Sequence, residues 1–346
     1  MKRFILIFIC IMIMTKSQAM ERYVIGYYRA GSRNQYPPAA IPYKNLTHIA
    51  HAFIWPGPDG SLKMGEKFLY PELIQTAHRN GVKVVVSIGG WGKHEGFAPM
   101  VANPQAREKF VSDLVQFCLT HGYDGADLDW EYPTAQDKEN LSRLIVELRQ
   151  AFQKNKIPFL SAAVPAIDWE GGFDAAVLKE RLDWFGIMTY DFHGSWTSHV
   201  GHNSPLYSSP KDKCGSAADS AQYWREKKEL PPDKLCLGIP FYGRMFEASD
   251  LYLPGSEKKS VSYADAIIRM SQGWEYSWDE VCRVGYLQNP GHSLLISFDD
   301  VPSVQAKCNY VLEKNLKGVI IWALGHDDTG TTQPLLSTVG EILRKK

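Results

Sequence analysis

The chain has 346 residues, 45 % of them apolar and 22 % charged, which excludes disorder, collagen and coiled coil as descriptions of the whole. Lys plus Arg equals Asp plus Glu at 38 each, so no global basic field points to nucleic acid. The unusual count is aromatic, with 10 Trp, 17 Tyr and 15 Phe, which serves either to fill a core or to line a groove for flat, semi-polar faces such as sugars.

In chain order, Lys2 and Arg3 precede an unbroken apolar run over 4–14, and the small residues Ser17 and Ala19 follow. This pattern predicts a secretory signal over 1–19, too short to span a bilayer, and a secreted product, extracellular or periplasmic. Cleavage after Ala19 leaves 35 basic against 38 acidic side chains. Beyond it no apolar stretch is long enough for a membrane span, and a monomer without membrane contact is expected. Five cysteines remain after the signal, Cys118, Cys214, Cys236, Cys282 and Cys308, so at least one thiol stays free or pairs between molecules. None has the CxxC spacing of a zinc site, and no metal or other cofactor is expected. Asn45-Leu-Thr47 and Asn140-Leu-Ser142 are glycosylation sequons if the pathway is eukaryotic.

Short apolar runs then alternate with longer helical patterns. The runs fall at 23–28, 48–53, 83–87, 125–129, 159–164, 184–189, 234–239 and 318–322. Helical spacing occupies 70–80, 105–121, 137–154, 172–180, 217–228, 302–315 and 334–344. Eight near-continuous apolar strands alternating with helices predict an α/β fold, a (β/α)8 TIM barrel over 20–244 and 296–346. The interval between the last two strands is about twice the usual repeat, so 245–295 is assigned to a small insertion after strand seven. Its Trp274, Tyr276 and Trp278 are candidate groove walls.

The most informative segment is Tyr123-Asp-Gly-Ala-Asp-Leu-Asp-Trp-Glu-Tyr-Pro133. Asp127, Asp129 and Glu131 stand at i, i+2 and i+4, so on a strand all three point into the barrel and toward its mouth. Three ionised carboxylates there would repel strongly, and a shared proton with one carboxyl kept protonated is the expected result. That is a general acid in waiting. An acidic loop and an Mg²⁺ or Ca²⁺ site are the alternatives, but no second set of oxygen ligands is apparent.

Asp124-Gly-x-Asp127-x-Asp129-x-Glu131 resembles the DGxDxDxE signature of family 18 glycoside hydrolases, the chitinases and their relatives. Ser87-Ile-Gly-Gly-Trp91 is similar to the family's SxGG motif of strand three. Met188-Thr-Tyr-Asp191, with Phe192-His-Gly-Ser-Trp196 and Asn203-Ser-Pro-Leu-Tyr207, is similar to strand six. Gly238-Ile-Pro-Phe-Tyr-Gly-Arg244 resembles strand seven and Gly318-Val-Ile-Ile-Trp322 strand eight. The resemblance runs from 23 to about 330.

It implies a secreted chitinase cleaving β-1,4-linked N-acetylglucosamine polymers with retention, with chitin or chitooligosaccharides as ligands. In the substrate-assisted scheme the sugar's own acetamido oxygen replaces the protein nucleophile. Glu131 is then the general acid, Asp129 orients the acetamido group, and Asp127 sets the charge of Asp129 by sharing a proton. Tyr190 donates to the acetamido oxygen, Asp191 binds the same sugar or the acid, and Trp322 is the floor under the sugar. Tyr27, Phe53, Gly89, Gly90, Trp91, Tyr132, Met188, Tyr242 and Arg244 line the cleft, the glycines letting sugar approach the backbone. A chitin-binding lectin of the same fold and an endo-β-N-acetylglucosaminidase acting on other glycans are the competing readings. His48 and His51, three apart on a strand, face opposite sides and are read as satisfied histidines. His326-Asp-Asp328 is read as a loop.

Overall fold

The structure, a computed structural model, describes residues 20–345; the expected signal over 1–19 lies outside the described residues. The strands in chain order are β1 (Tyr23–Arg29), β2 (His48–Pro56), β3 (Leu62–Met64), β4 (Lys83–Gly89), β5 (Gly125–Asp129), β6 (Phe159–Val164) and β7 (Trp184–Ile187). There follow β8 (Leu235–Pro240), β9 (Tyr242–Glu247), β10 (Ser256–Ser262), β11 (Glu275–Asp279), β12 (Val284–Gln288), β13 (Leu294–Phe298) and β14 (Gly318–Trp322). Strands β1, β2, β4 to β8 and β14 are all parallel to their neighbours. β1 pairs with both β2 and β14, so the sheet closes on itself as a (β/α)8 barrel.

Closure leaves two separate apolar layers. Even-numbered residues such as Ala126 and Leu128 of β5 face outward and join the large core shared with the surrounding helices. Ile25, Tyr27, Ala50, Val85, Trp184, Cys236 and Ile320 face inward and fill the barrel. Its lower end is plugged by rings: His48 lies 4.5 Å from Tyr23, 4.9 Å from Phe159 and 5.0 Å from Trp184. His51 points outward and stacks on Phe68 at 4.2 Å. Each histidine has only one partner: Nδ1 of His48 meets Thr47, Nδ1 of His51 meets Tyr123, and both Nε2 atoms are buried without one.

The helices sit close to the predicted spans because the local signals are strong. Pro104–His121 begins at Asn103, whose side chain accepts from the amides of Gln105 and Ala106, and ends at left-handed Gly122 (φ +78°). Residues 217–228 divide into an α-helix Ala217–Gln222 and a π turn Tyr223–Lys227. Two short features, β3 and the helix Phe97–Ala102, were not anticipated.

Between β8 and β14 the chain builds a second sheet, antiparallel, in the order β10-β9-β13-β12-β11. It extends from Tyr242 to Phe298, so Tyr242 and Arg244 lie on it rather than on a barrel strand. It also carries an unforeseen helix, Tyr263–Ser271, capped by Ser262. No helix among the described residues is long and apolar enough to cross a membrane. All five cysteines of this part are free, and four of them are buried. Asn45 is buried and its side-chain oxygen lies 2.3 Å from where a Cβ on Gly340 would stand, so the folded chain offers no room for a glycan there.

Candidate active site

Register decides what surrounds the carboxylates. Asp127 pairs in register with Ser87 on β4 and Ser161 on β6, so all three side chains share one inward layer. Ser87 and Tyr27 donate to Asp127 Oδ2 at 2.9 and 2.7 Å, and Ser161 donates to Oδ1 at 2.7 Å. Burial raises the pKa of Asp127 above the ordinary carboxylate value, and these hydroxyls oppose the shift. Asp127 thus accepts three hydroxyl hydrogen bonds and leaves about one acceptor site over. Its oxygens face hydroxyl donors, not a cation.

Asp129, one layer higher at the end of β5, has different company. It is 4 % exposed, and its Oδ1 is buried without a hydrogen-bond partner. Burial first, then the charges of Glu131 and Asp127, push its pKa well above the usual range. Glu131 follows just beyond the strand, with its pKa pushed up to about 7 by burial and held back by Tyr132. Near neutral pH this cluster therefore carries protons that ordinary carboxyls would have lost.

The mouth above is aromatic. Trp322, at the end of β14, stacks on Phe53 at 5.5 Å and lies 5.7 Å from Tyr27. Gly90 (φ +81°) is pressed against Phe53, where a Cβ would come within 2.5 Å of the ring. At Gly89 (φ +115°) a Cβ would meet the Asp129 carbonyl oxygen at 2.1 Å. Both glycines permit close packing, Gly89 against the acidic strand end and Gly90 against the Phe53 ring. The peptides Ala52–Phe53, Glu131–Tyr132 and Trp322–Ala323 are cis.

The opposite wall comes from the segment after β7 and from the second sheet. Tyr190 is half-buried, 6.1 Å from the ring of Tyr242, and burial raises its pKa well above the phenol value. Asp191 has a left-handed backbone (φ +62°). Its Oδ1 accepts from the Tyr242 hydroxyl at 2.5 Å and from Arg244 Nε at 2.8 Å, and its amide donates to Asn203 Oδ1. Arg244 also pairs with Glu257 and lies 4.7 Å over the ring of Trp196.

The sequence-predicted residues therefore separate into depths. Tyr27 and Met188 are buried in the barrel filling and support the site from below. Tyr132 meets Trp169 edge to face at 4.8 Å. Trp91 stands 77 % exposed. The insertion's rings make other contacts: Trp274 lies beside Arg269, Tyr276 donates to Asp300 at 2.6 Å, and Trp278 sits on β11 opposite Gly285. Sequence reasoning missed Trp169 and Trp196, at 54 % and 58 % exposed. The signal was a lone Trp in a loop after a barrel strand, which is where such barrels place their sites.

A closed parallel barrel with a carboxylate ladder at the C-terminal end of one strand and an aromatic mouth defines a class, the barrel glycosidases. The chain belongs to glycosyl hydrolases family 18, whose family model matches residues 23–327. It is 32 % identical over 366 residues to "Probable chitinase 10" of Drosophila melanogaster, covering 92 % of this chain and 16 % of that protein. It is 30 % identical over 376 residues to the oviduct-specific glycoprotein of Mesocricetus auratus, covering 96 % of this chain and 55 % of the other. The chain thus spans from about a sixth to about half the length of these two relatives. Among solved structures, a mutant of catalytic domain 2 of the Ostrinia furnacalis Group II chitinase, in complex with (NAG)5, superposes with a TM-score of 0.87 at 30 % identity. That match covers 94 % of this chain and 97 % of the other.

Proposed function

We propose that the protein is a secreted, monomeric chitinase that hydrolyses β-1,4-linked N-acetylglucosamine polymers with retention, using the substrate's acetamido group as nucleophile. The observation that carries this reading is the buried, unpartnered Oδ1 of Asp129 beside a Glu131 whose pKa is pushed up to about 7. An orphan acceptor at that depth asks for an N–H from a ligand, and an acetamido group supplies one. The relatives named as chitinases and the complexed Ostrinia domain support the same substrate class.

In the proposed cycle Glu131 gives its proton to the glycosidic oxygen as the bond to C1 breaks. The acetamido carbonyl oxygen attacks C1 from the opposite face and forms an oxazolinium ion. Asp129 accepts the acetamido N–H, holds the group in line and stabilises its developing positive charge. Tyr190 donates its hydroxyl to the acetamido oxygen. Glu131, now ionised, takes a proton from water, which opens the ring on the original face, so the anomeric configuration is retained. Trp322, braced by Phe53, offers its flat face to the sugar. Asp127, held by three hydroxyls, keeps a partly negative wall beneath Asp129.

Proton NMR of the products of chitin oligomers, beside a high-mannose glycopeptide, tests the proposal. β-Anomeric N-acetylglucosamine ends appearing first from the chitin oligomers are expected. First-formed α-anomers would sink the acetamido mechanism, cleavage of the glycopeptide alone would move the substrate to N-glycans, and binding without cleavage of either would favour a lectin.

A further inference from the structure

Behind the site, on the long connection from β7 to the helix Ala217–Gln222, four side chains converge that the proposed reaction does not use. They are His193, His199, Asp212 and Cys214, and their ligand atoms all lie within 4.8 Å of one another. His193 Nε2 is 3.3 Å from His199 Nε2 and 3.2 Å from Asp212 Oδ2, and His199 Nε2 is 3.1 Å from Asp212 Oδ1. A tetrahedral ion with bonds of roughly 2.0–2.3 Å holds its ligand atoms about 3.3–3.8 Å apart, close to this spacing.

Proton counting favours an ion over a hydrogen-bonded knot. His193 Nδ1 meets the carbonyl oxygen of His202 at 2.9 Å, and a carbonyl only accepts, so Nδ1 carries the hydrogen. In the neutral ring Nε2 then has a lone pair, and it faces a carboxylate oxygen and a second imidazole nitrogen. While the His193 ring is neutral, the single proton available on His199 Nε2 cannot serve both His193 Nε2 and the Asp212 carboxylate. One cation at the centre satisfies all of them. The outer contacts match as well. A metal-bound histidine commonly donates its other N–H to a backbone carbonyl, as His193 does. Asp212 is held by the amide of Cys214 at 3.1 Å. The His193 side chain is 0 % exposed and that of Asp212 5 %, while the His199 side chain, at 29 %, forms the outer side of the cluster.

The adjacent group His202, Asp279 and Cys282 shows the contrast. There His202 Nδ1 meets Ser297 and Nε2 meets Asp279 Oδ2, while Asp279 Oδ1 accepts from the amides of Val281 and Cys282. Every one of these atoms has a complementary partner, and no lone pair faces another.

We propose that His193, His199, Asp212 and Cys214 form a closed, structural binding site for a four-coordinate divalent transition metal of the zinc class. Two imidazoles, a carboxylate and a thiolate suit that borderline-soft ion, and four protein ligands leave no open position for catalysis. The Cys214 thiol gives its proton to solvent as the metal–sulfur bond forms. The ion ties Asp212 and Cys214 to His193, two residues beyond Asp191, and so fixes the wall that Tyr242 and Arg244 also grip.

The test is metal content of the protein purified without chelator, followed by reconstitution of the stripped protein with Co²⁺. One equivalent of metal per chain and the intense absorption of a cobalt–thiolate bond with tetrahedral d–d bands are expected. Cys214→Ser should abolish the thiolate band, and chelator should lower the melting temperature of the parent protein but not of the variant. His199→Gln, at a partly exposed ring, repeats the test should Cys214→Ser fail to fold. Substoichiometric metal with no cobalt–thiolate band at micromolar free Co²⁺ would overturn the site, as would a disulfide at Cys214 found by peptide mapping. These readouts do not depend on sugar cleavage, so they stand or fall apart from the proposed function.

Discussion

Two buried aspartates at strand ends, Asp129 and Asp299, invite comparison. Both are nearly sealed from water, at 4 % and 1 % exposed, and each has one oxygen without a partner. Asp299 faces the ammonium of Lys307 at 2.5 Å, itself fully buried. Burial pushes the Asp299 pKa up to about 6 and the ammonium pulls it back. Lys307 passes the contact on to Ser204, which donates to the carbonyl of Thr189 beside Tyr190. Asp129 has no cation; its charged neighbours are Asp127 and Glu131, and all the causes of its shift push the same way. The difference teaches what a buried carboxyl is for. Next to its counter-ion it is a brace, and among like charges it is a reservoir of protons and unmet hydrogen bonds that a substrate can complete.

The sharpest break is expected at the unpaired cluster. Glu131→Gln should lower kcat about a thousandfold, the upper part of what a positioned acid contributes, while oligosaccharide binding by calorimetry is retained. Full activity in that variant would remove Glu131 as the acid. At the paired site the expected loss is of stability. Lys307→Met strands Asp299 and should cost about 3 kcal/mol in urea unfolding, with kcat of the folded protein little changed. A fall in kcat like that of Glu131→Gln would dissolve the distinction between brace and reservoir.

A third effect runs the other way. Glu131 has its pKa pushed up to about 7 from an ordinary 4.5, so the folded state binds that proton more tightly than the unfolded chain. Its contribution is fully present below about 4.5 and is lost as pH rises toward 7. Glu131→Gln escapes that loss and should be more stable than the parent by about 3 kcal/mol near pH 8, with no gap near pH 4. In the parent, kcat/KM should fall on the alkaline side through an apparent pKa near 7 as the acid is lost. An alkaline limb in the unmodified enzyme above pH 9 would contradict the assignment.

Much of this was legible because two periods rule the sequence. Eight apolar runs place the barrel strands to within three residues, and the alternation of Asp127, Leu128 and Asp129 fixes which faces turn inward. Loops have no period, so Trp169 gave no pattern to read, Trp196 lay within a motif but was not singled out for the site, and β3, only three residues long, lies below any window. Tyr242 and Arg244 read as a continuation of β8 because only a turn at Phe241 separates the two sheets. The hydroxyls from three other strands that hold Asp127 are a fact of register that no linear motif states. His193, His199, Asp212 and Cys214 fit no familiar metal spacing, since loop geometry rather than periodicity brings them together.

The closure of the barrel also sets an order in time. β1 and β14 are paired strand to strand, Tyr23 against Gly318 and Gly26 against Ile321, although they stand near opposite ends of the chain. On the ribosome the carboxylate strand emerges early and the second sheet later, but Trp322, the proposed sugar floor, rides on β14, the last barrel strand in chain order. The proposed cleft is therefore complete only where β14 has paired with both β1 and β8, and a chain cut before β14 would keep its carboxylates but lose their proposed floor.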